Sequence, residues 1–403
     1  MHLDPVALQE RKERILETQR RGIESLLKRH KVRLIRGTGQ IMGVGQVEVR
    51  KETGDQEIVS WDRLIIATGS SPLEIAVFPF DGKRILSSDD ALSLREIPRS
   101  LVIVGGGVIG CEFASIFSAM GVEVTIVEAL DRLLPLPSVD EDSSKILQRE
   151  FKKRKIKFIL RHVVAGVDRS HDGLSIRLSP SPFVEREEKK AAATEGLAAE
   201  KILVCVGRRP NTAGIGLETL GVETDERGWI RANGQMRTSV ENVFAIGDVL
   251  GPEKIMLAHV ASHEGIIAAE NAMGGSEEMD YKAVPSAIFT HPEVADVGLT
   301  EAQAREGGKE VRTESFLFRN IGKPQVIGEI SGQVKIVSEV KGGRILGVHM
   351  VGPHVTDLIS EGTLAVQTGC SVSDLARTVH PHPTLSEVMQ EVSYKALDKG
   401  IHG

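Results

Sequence analysis

At 403 residues the chain exceeds what one hydrophobic core usually organises, so two to four domains are expected. Hydrophobic residues make up 41% and charged residues 26%; the net charge of −6, with no long basic stretch, argues against nucleic acid or an anionic membrane as the main partner. No apolar run approaches a membrane span, and MHLDPVALQERKERILE lacks the apolar core of a signal peptide; with three isolated cysteines, Cys111, Cys205 and Cys370, these features lead us to expect a cytoplasmic protein.

Residues 6–30 are charged, with apolar residues at Val6, Ile15, Ile23, Leu26 and Leu27, the pattern of a surface helix ending near His30. VRLIRGTGQI (32–41) reads as a strand entering a Gly turn. VEVRKETGDQEIVS (47–60) reads as a hairpin, and 64–67 as a buried strand that stops at Thr68 and Gly69. Residues 100–130, SLVIVGGGVIGCEFASIFSAMGVEVTIVEAL, read strand, Gly turn, helix, strand, with 101–104 and 122–127 as buried parallel partners joined by a right-handed crossover. A helix–strand pattern follows over 143–160, then strands GLSIRLSP (173–180) and KILVCVGRRP, the latter ending at Gly207. Between these two strands, 185–200 is rich in Ala, Glu and Lys and reads as a solvated loop or frayed helix. From Gly221 a second set begins with WIRANGQMRT and VENVFAIGDV. After Tyr281, AIFTHPEVADVGLT, GQVKIVSE and GRILGVHMVG read as an antiparallel sheet, with helices over 355–368 and after Thr384.

The clearest chemical motif is Gly105, Gly106, Gly107, Val108, Ile109 and Gly110, a G-x-G-x-x-G that follows a strand and opens a helix, with Glu128 at the end of the next strand. The helix N-terminus offers free N–H groups to a pyrophosphate. Glu128 can accept from both adenine-ribose hydroxyls and would repel a 2′-phosphate, which favours NAD over NADP. Cys111, in the first turn of that helix, is either a reactive thiol or a small buried apolar residue. Asp248, ending the strand of VFAIGDV, reads equally as a binder of sugar or ribityl hydroxyls and as a helix N-cap. His259, His291, His349 and His354 have no metal-ligand spacing, so no metal site is expected. In HPHPTLSE (380–387) two readings compete. Thr384 and Glu387 form a T-x-x-E capping box for the following helix, or Glu387 holds one nitrogen of His382 and makes it a general base.

IIATGSSP, VIVGGGVIGCE, VCVGRRPNT, TSVENVFAIGDV with IMLAHVASHEG, FTHPEVADVGLTE and HPHPTLSE, in this order, resemble the flavoprotein disulfide reductases (class I pyridine nucleotide-disulfide oxidoreductases), and within them the dihydrolipoamide dehydrogenases. The resemblance runs from about Leu3 to Glu391. It implies an α/β fold with two Rossmann-like FAD/NAD(P)-binding three-layer domains, the first incomplete, plus a C-terminal α+β dimerisation domain. The implied divisions are a C-terminal part of the FAD-binding domain (1–98), an NAD-binding domain (99–218), a central FAD-contacting segment (219–283) and a dimerisation domain (284–403). The implied activity passes electrons from dihydrolipoamide through a redox disulfide and FAD to NAD+, in a homodimer serving the lipoyl domain of a 2-oxoacid dehydrogenase or glycine cleavage complex.

On this resemblance His382 is the acid–base catalyst and Glu387 its orienting carboxylate. Gly105, Gly106, Gly107, Val108, Ile109, Gly110, Cys111, Glu112, Glu128, Val164 and Gly207 match NAD-site positions. Gly39, Thr68, Gly69, Ser70, Asp248, Met256, Leu257, Ala258 and His259 match FAD-site positions. The family's own strand–GxGxxG–helix for the FAD pyrophosphate and its C-x4-C redox pair are not found in these 403 residues. The expectation is therefore a chain from a truncated gene model or a fragment, or one completed by a separate polypeptide, that alone binds FAD weakly and does not turn over lipoamide. The alternatives are a non-catalytic NAD-binding dimeric scaffold, another flavoprotein disulfide reductase, or a disulfide-independent flavin NADH oxidase.

Overall fold

A computed structural model describes residues 3–170, 173–184 and 196–402. The chain is mixed α/β and divides into two compact units, each with its own core.

The first unit comprises residues up to 73, 93–96 and 207–281. It opens with the helix Pro5–Arg29, capped by Asp4, whose carboxylate accepts from the N–H groups of Val6 and Ala7. No residue of this helix is buried. The strand expected over 32–41 begins only at Thr38. Residues 32–37 carry apolar side chains, but Val32 and Leu34 are exposed, and the ladder starts where Thr38 meets Arg50. Thr38–Gly43, Gln46–Arg50 and Gln56–Ser60 form an antiparallel meander. Leu64–Ile66 pairs in parallel with Val243–Ala245, and Ser70–Pro72 pairs antiparallel with Arg208–Pro210. WIRANGQMRT does not form a strand: isolated bridges join Ile230 to Thr224 and Arg237 to Phe244. The core gathers Ile41, Ile66, Met236, Phe244, Val249 and Ile267 around the parallel pair and the helix Ala258–Ala272. A chain whose apolar residues bracket Gly turns in this way buries its strands on one side and leaves the turns to present polar groups.

The second unit contains two larger sheets. One is fully parallel, in the order Ile85–Leu86, Lys201–Val204, Ser100–Val104, Glu123–Val127, Lys157–Ile159. Its central strands are near-continuous apolar runs because parallel strands are covered on both faces. Leu101 pairs with Val124 and Val104 with Val127, as the parallel reading of 101–104 and 122–127 requires. The helices Val108–Ala119 and Glu141–Lys153 belong to this layer. His162–Ser170, Gly173–Pro180 and Leu197–Ala199 make a small antiparallel sheet. The reading of 185–200 as loop or frayed helix lies outside the described residues over 185–195. At its end it is corrected, since Leu197–Ala199 pairs with the strand Gly173–Pro180.

The other sheet is antiparallel, in the order Ser286–Ile288, Glu293–Gly298, Ile345–Gly352, Gln333–Glu339, Val311–Leu317. Its inner face packs with the helices Val355–Thr368 and Glu387–Ala396, burying Val334, Ile336, Val348, Met350, Ile359, Met389 and Val392. Among the described residues no helix is long and apolar enough to cross a membrane.

Candidate functional site

The helix Glu387–Ala396 is anchored by Val388, Met389 and Val392, which are fully buried. That anchoring fixes Glu387 in its first turn. Glu387 Oε1 lies 2.8 Å from His382 Nδ1, and Oε2 accepts the Thr384 N–H at 2.9 Å. Burial tends to raise the carboxyl's pKa, but the bonds from His382 and Thr384 outweigh it and hold the pKa below the usual glutamate value. An ionised partner at Nδ1 selects the tautomer with the proton on that nitrogen, leaving the lone pair of the neutral ring on Nε2. The His382 side chain is 75% exposed, so this second nitrogen is open to a reacting group.

The capping box expected at Thr384 is half present. Glu387 takes the Thr384 N–H, but the Thr384 hydroxyl donates to the Pro381 carbonyl instead of capping the helix, whose N-cap is Ser386. Glu387 thus serves helix and histidine together.

His380, two residues earlier, is placed differently. Its side chain is 4% exposed, Nδ1 faces the Thr378 carbonyl at 3.0 Å and Nε2 faces Glu361 at 2.9 Å. Both partners are acceptors, a setting that favours the protonated ring. The Glu361 bond, against the opposing effect of burial, raises the pKa of His380. The motif therefore pairs a His380 held between two acceptors with an open imidazole at His382.

The dinucleotide loop is built by close approach. A Cβ on Gly110 would lie 1.9 Å from the Gly105 carbonyl oxygen, and one on Gly105, where φ is +104°, would lie 2.3 Å from that of Cys205. At Gly107, by contrast, no atom lies within 4 Å of a built Cβ, and the helix Val108–Ala119 starts there without a side-chain cap. Open space and uncapped N–H groups fit a pyrophosphate. Glu128 is buried and its carboxylate turns toward the loop: Oε2 accepts the Gly106 N–H at 2.5 Å and Oε1 the Leu130 N–H at 2.7 Å. Each oxygen keeps acceptor capacity for a ribose hydroxyl.

Cys111 is fully buried, its thiol donates to the Gly106 carbonyl at 3.2 Å, and burial pushes its pKa well up, which is the packing role and not the reactive one. Burial likewise pushes Cys205 up to about 12. Glu112 accepts the Phe289 N–H at 2.9 Å, with Ser115 Oγ accepting from His291 N–H. Val108 and Ile109 are half-buried in the first helical turn, and Val164 lies half-buried on the strand His162–Ser170. Gly110→Ala is expected to cost about 1–3 kcal/mol of stability by overpacking and to abolish NAD binding. Denaturant unfolding and an NADH fluorescence titration measure both, and an unshifted midpoint would mean the backbones are not in contact.

In the first unit, Ser70 Oγ donates to Asp248 Oδ2 at 2.7 Å, and Arg208 Nε lies 2.6 Å from Ser70 Oγ and 3.6 Å from the same carboxylate. The Thr68 and Gly69 carbonyls accept from the Asn211 side chain and backbone. Gly207 belongs to this unit, its carbonyl accepting from the Leu73 N–H. Met256 and Leu257 precede the helix that begins at Ala258 and His259, while Gly39 sits apart on the meander, opposite Val49. Sequence reasoning misses Arg208 and Asn211. Their signal is present in VCVGRRPNT, adjacent to Gly207, but nothing local shows that they turn back onto Ser70 and Thr68. The half-buried Asp248, with hydroxyl and guanidinium beside it, fits a polyol or ribityl chain. Among the described residues no group of three His, Cys, Asp or Glu side chains is assembled for a metal ion.

Comparison with known proteins gives the lineage. The pyridine nucleotide-disulphide oxidoreductase family model matches residues 4–265, and the dimerisation domain of the same family matches 284–393. The dihydrolipoyl dehydrogenase of Chlamydia pneumoniae is 39% identical over 400 residues, covering 99% of this chain and 82% of the relative. That of Bacillus subtilis is 40% identical over 406 residues, covering 98% and 82%, and the mitochondrial enzyme of Pisum sativum is 38% identical over 403, covering 100% and 78%. Among solved structures, LpdA from Mycobacterium tuberculosis aligns with a TM-score of 0.88 at 27% identity, covering 98% of this chain and 84% of that one. The fold is also that of the HOCl-induced flavoprotein disulfide reductase RclA from Escherichia coli, with a TM-score of 0.84 at 23% identity, covering 97% and 86%. On these matches, and with the Gly105–Gly110 loop and the His382–Glu387 pair in place, the chain belongs to the pyridine nucleotide-disulphide oxidoreductase family.

Proposed function

We propose that the chain carries the proton-handling and nucleotide-binding parts of a dihydrolipoyl dehydrogenase, which passes electrons from dihydrolipoamide through a redox disulfide and FAD to NAD+. The observation that carries this reading is the 2.8 Å contact between Glu387 and His382, with the ring otherwise open. A dithiol substrate delivers its proton to Nε2, and Glu387 holds the tautomer and stabilises the imidazolium that forms. NAD and FAD, when bound, supply the two-electron transfer.

The Gly105–Gly110 loop and Glu128 would hold the first cofactor. Ser70, Asp248 and the residues from Met256 to His259 would hold the distal part of the second. Cys111, Cys205 and Cys370 are free, and none has a partner at C-x4-C spacing, so this reading needs a sulfur couple to be supplied opposite His382. The divisions at 98, 218 and 283, a homodimer formed through the C-terminal sheet, a lipoyl domain of a 2-oxoacid dehydrogenase or glycine cleavage complex as partner, and a cytoplasmic setting complete the reading. The match to a dimerisation domain supports the homodimer.

The test is an assay with dihydrolipoamide, FAD and NAD, using the chain alone and joined to a Gly-rich βαβ segment that bears C-x4-C. Turnover is expected only in the joined form. A joined protein that binds NAD yet stays inactive would leave the non-catalytic scaffold standing. For the nucleotide, NAD is expected to bind more tightly than NADP. Glu128→Ala weakens NAD about tenfold without bringing NADP to parity, because the Gly106 N–H loses its acceptor. Calorimetric titration with each nucleotide decides, and tighter binding of NADP to the unmodified chain contradicts the assignment.

A further inference from the structure

Glu264 is a carboxylate that the reading above leaves unused. It lies on the helix Ala258–Ala272 and is 1% exposed. Its Oε2 accepts the Gly247 N–H at 2.7 Å, and its Oε1 accepts the Tyr281 hydroxyl at 2.6 Å. A carboxylate this deeply buried is costly unless its oxygens are bonded, and here each has one donor.

What it holds is the turn Gly247–Leu250, directly after the strand Val243–Ala245. Gly247 has φ +72°, and a Cβ there would lie 3.2 Å from Ala261 Cβ on the same helix. The turn therefore approaches the helix too closely to be held by a side chain of its own, and the Glu264 carboxylate supplies the tie. The residue after Gly247 is Asp248, with Ser70 and Arg208 at its carboxylate. Lys254 Nζ lies over the Tyr281 ring, 4.8 Å from its centre.

We propose that Glu264 and Tyr281 are a positioning pair: they lock the Gly247 turn so that Asp248 is aimed at the sugar-like hydroxyls of a bound flavin. The inference rests on the flavin reading of Asp248 given under the proposed function.

The experiment uses the full chain with FAD as probe, reading hydrogen exchange of the 247–250 amides and FAD affinity by flavin fluorescence. Glu264→Leu is expected to speed exchange at 247–250 and weaken FAD, each by about tenfold. Glu264→Gln, whose amide oxygen still accepts from Gly247, is expected to keep both within about twofold, since the hydrogen-bond geometry survives. In an Asp248→Ala background, Glu264→Leu should no longer change FAD affinity, because a residue acting through another shows no effect once that other is gone. Unchanged exchange at 247–250 in Glu264→Leu overturns the proposal, and so does an undiminished effect on FAD in the Asp248→Ala background. Should Glu264→Leu fail to fold, Tyr281→Phe decides by the same exchange readout, faster exchange supporting the pair and unaltered exchange overturning it. If the unmodified chain takes up no FAD, the exchange result judges the lock and FAD affinity is read in the chain joined to the Gly-rich βαβ segment; no uptake there overturns the flavin reading and leaves the lock to the exchange result.

Discussion

His382→Gln is expected to lower dihydrolipoamide–NAD turnover by about 10²–10⁴-fold, the usual contribution of a positioned general acid–base. The assay form is the chain joined to a segment bearing the C-x4-C pair. Glutamine keeps a donor for Glu387 Oε1 but has no nitrogen that takes up a proton, so substrate binding should persist while the rate falls. Glu387→Gln should cost less. It leaves the imidazole in place but removes the charge that selects the Nδ1–H tautomer and stabilises the imidazolium. Turnover equal to that of the parent in His382→Gln would remove the catalytic reading.

The largest stability effect is expected at Lys335. This side chain is 7% exposed, and its Nζ sits 3.1 Å from Asp140, 2.9 Å from Asp142 and 3.2 Å from Glu301. It joins the start of the helix Glu141–Lys153 to the strand Gln333–Glu339. Burial works against the ammonium, but the three carboxylates more than restore it and raise its pKa. Lys335→Met leaves Asp140, itself buried, without its cation, at a cost of about 3–5 kcal/mol. A urea midpoint unchanged by the substitution would contradict this.

The neighbouring histidine gives the same region a pH signature. His349 is fully buried, with Nδ1 2.7 Å from Asp296 Oδ1 and Nε2 3.1 Å from the Leu299 carbonyl. Both partners favour a proton on the ring, while burial raises the pKa of the Asp296 carboxyl, so the pair is held as a coupled unit. Burial would lower its pKa, but the bond to Asp296, the charges of Asp296 and Asp140, and the Leu299 carbonyl raise it above the ordinary histidine value. A folded-state pKa above the unfolded one means the contribution is complete below the ordinary histidine pKa and is lost as pH rises through the folded value. Melting temperature should therefore fall over that window in the parent and lose that slope in His349→Gln. A parent curve flat across it would contradict the assignment.

The dinucleotide loop and the His382–Glu387 pair were legible because their chemistry is local. The glycines sit within six residues, and a five-residue spacing puts Glu387 in reach of His382. The groups that tie distant segments were not legible. Lys335 and Asp140 are 195 positions apart, His349 and Asp296 53 apart, and Glu264 meets Gly247 and Tyr281 at separations of 17 in opposite directions. Apolar periodicity shows which face is inside but not which two inner faces meet. The segment 32–41 shows the converse limit. Val32, Leu34 and Ile35 give a strand-like pattern, yet a strand needs a partner, and pairing begins only at Thr38. Thr384 differs from its reading for a similar reason, since a capping motif names two side chains without fixing where the helix starts; here the N-cap is Ser386, two residues on.

The helix Pro5–Arg29 carries a different consequence. Helices in proteins draw most of their stability from a packed apolar face, and this one buries none of its 25 residues. Its opening is therefore expected to be a local event, set by its caps, its Glu17–Arg20 and Glu17–Arg21 pairs, and the few ties from Gln9 to the Leu94 carbonyl and from Glu24 to Arg36, more than by the melting of either core. With arginines and lysines along its length, it is expected, among the described residues, to be cut early by trypsin in the native protein.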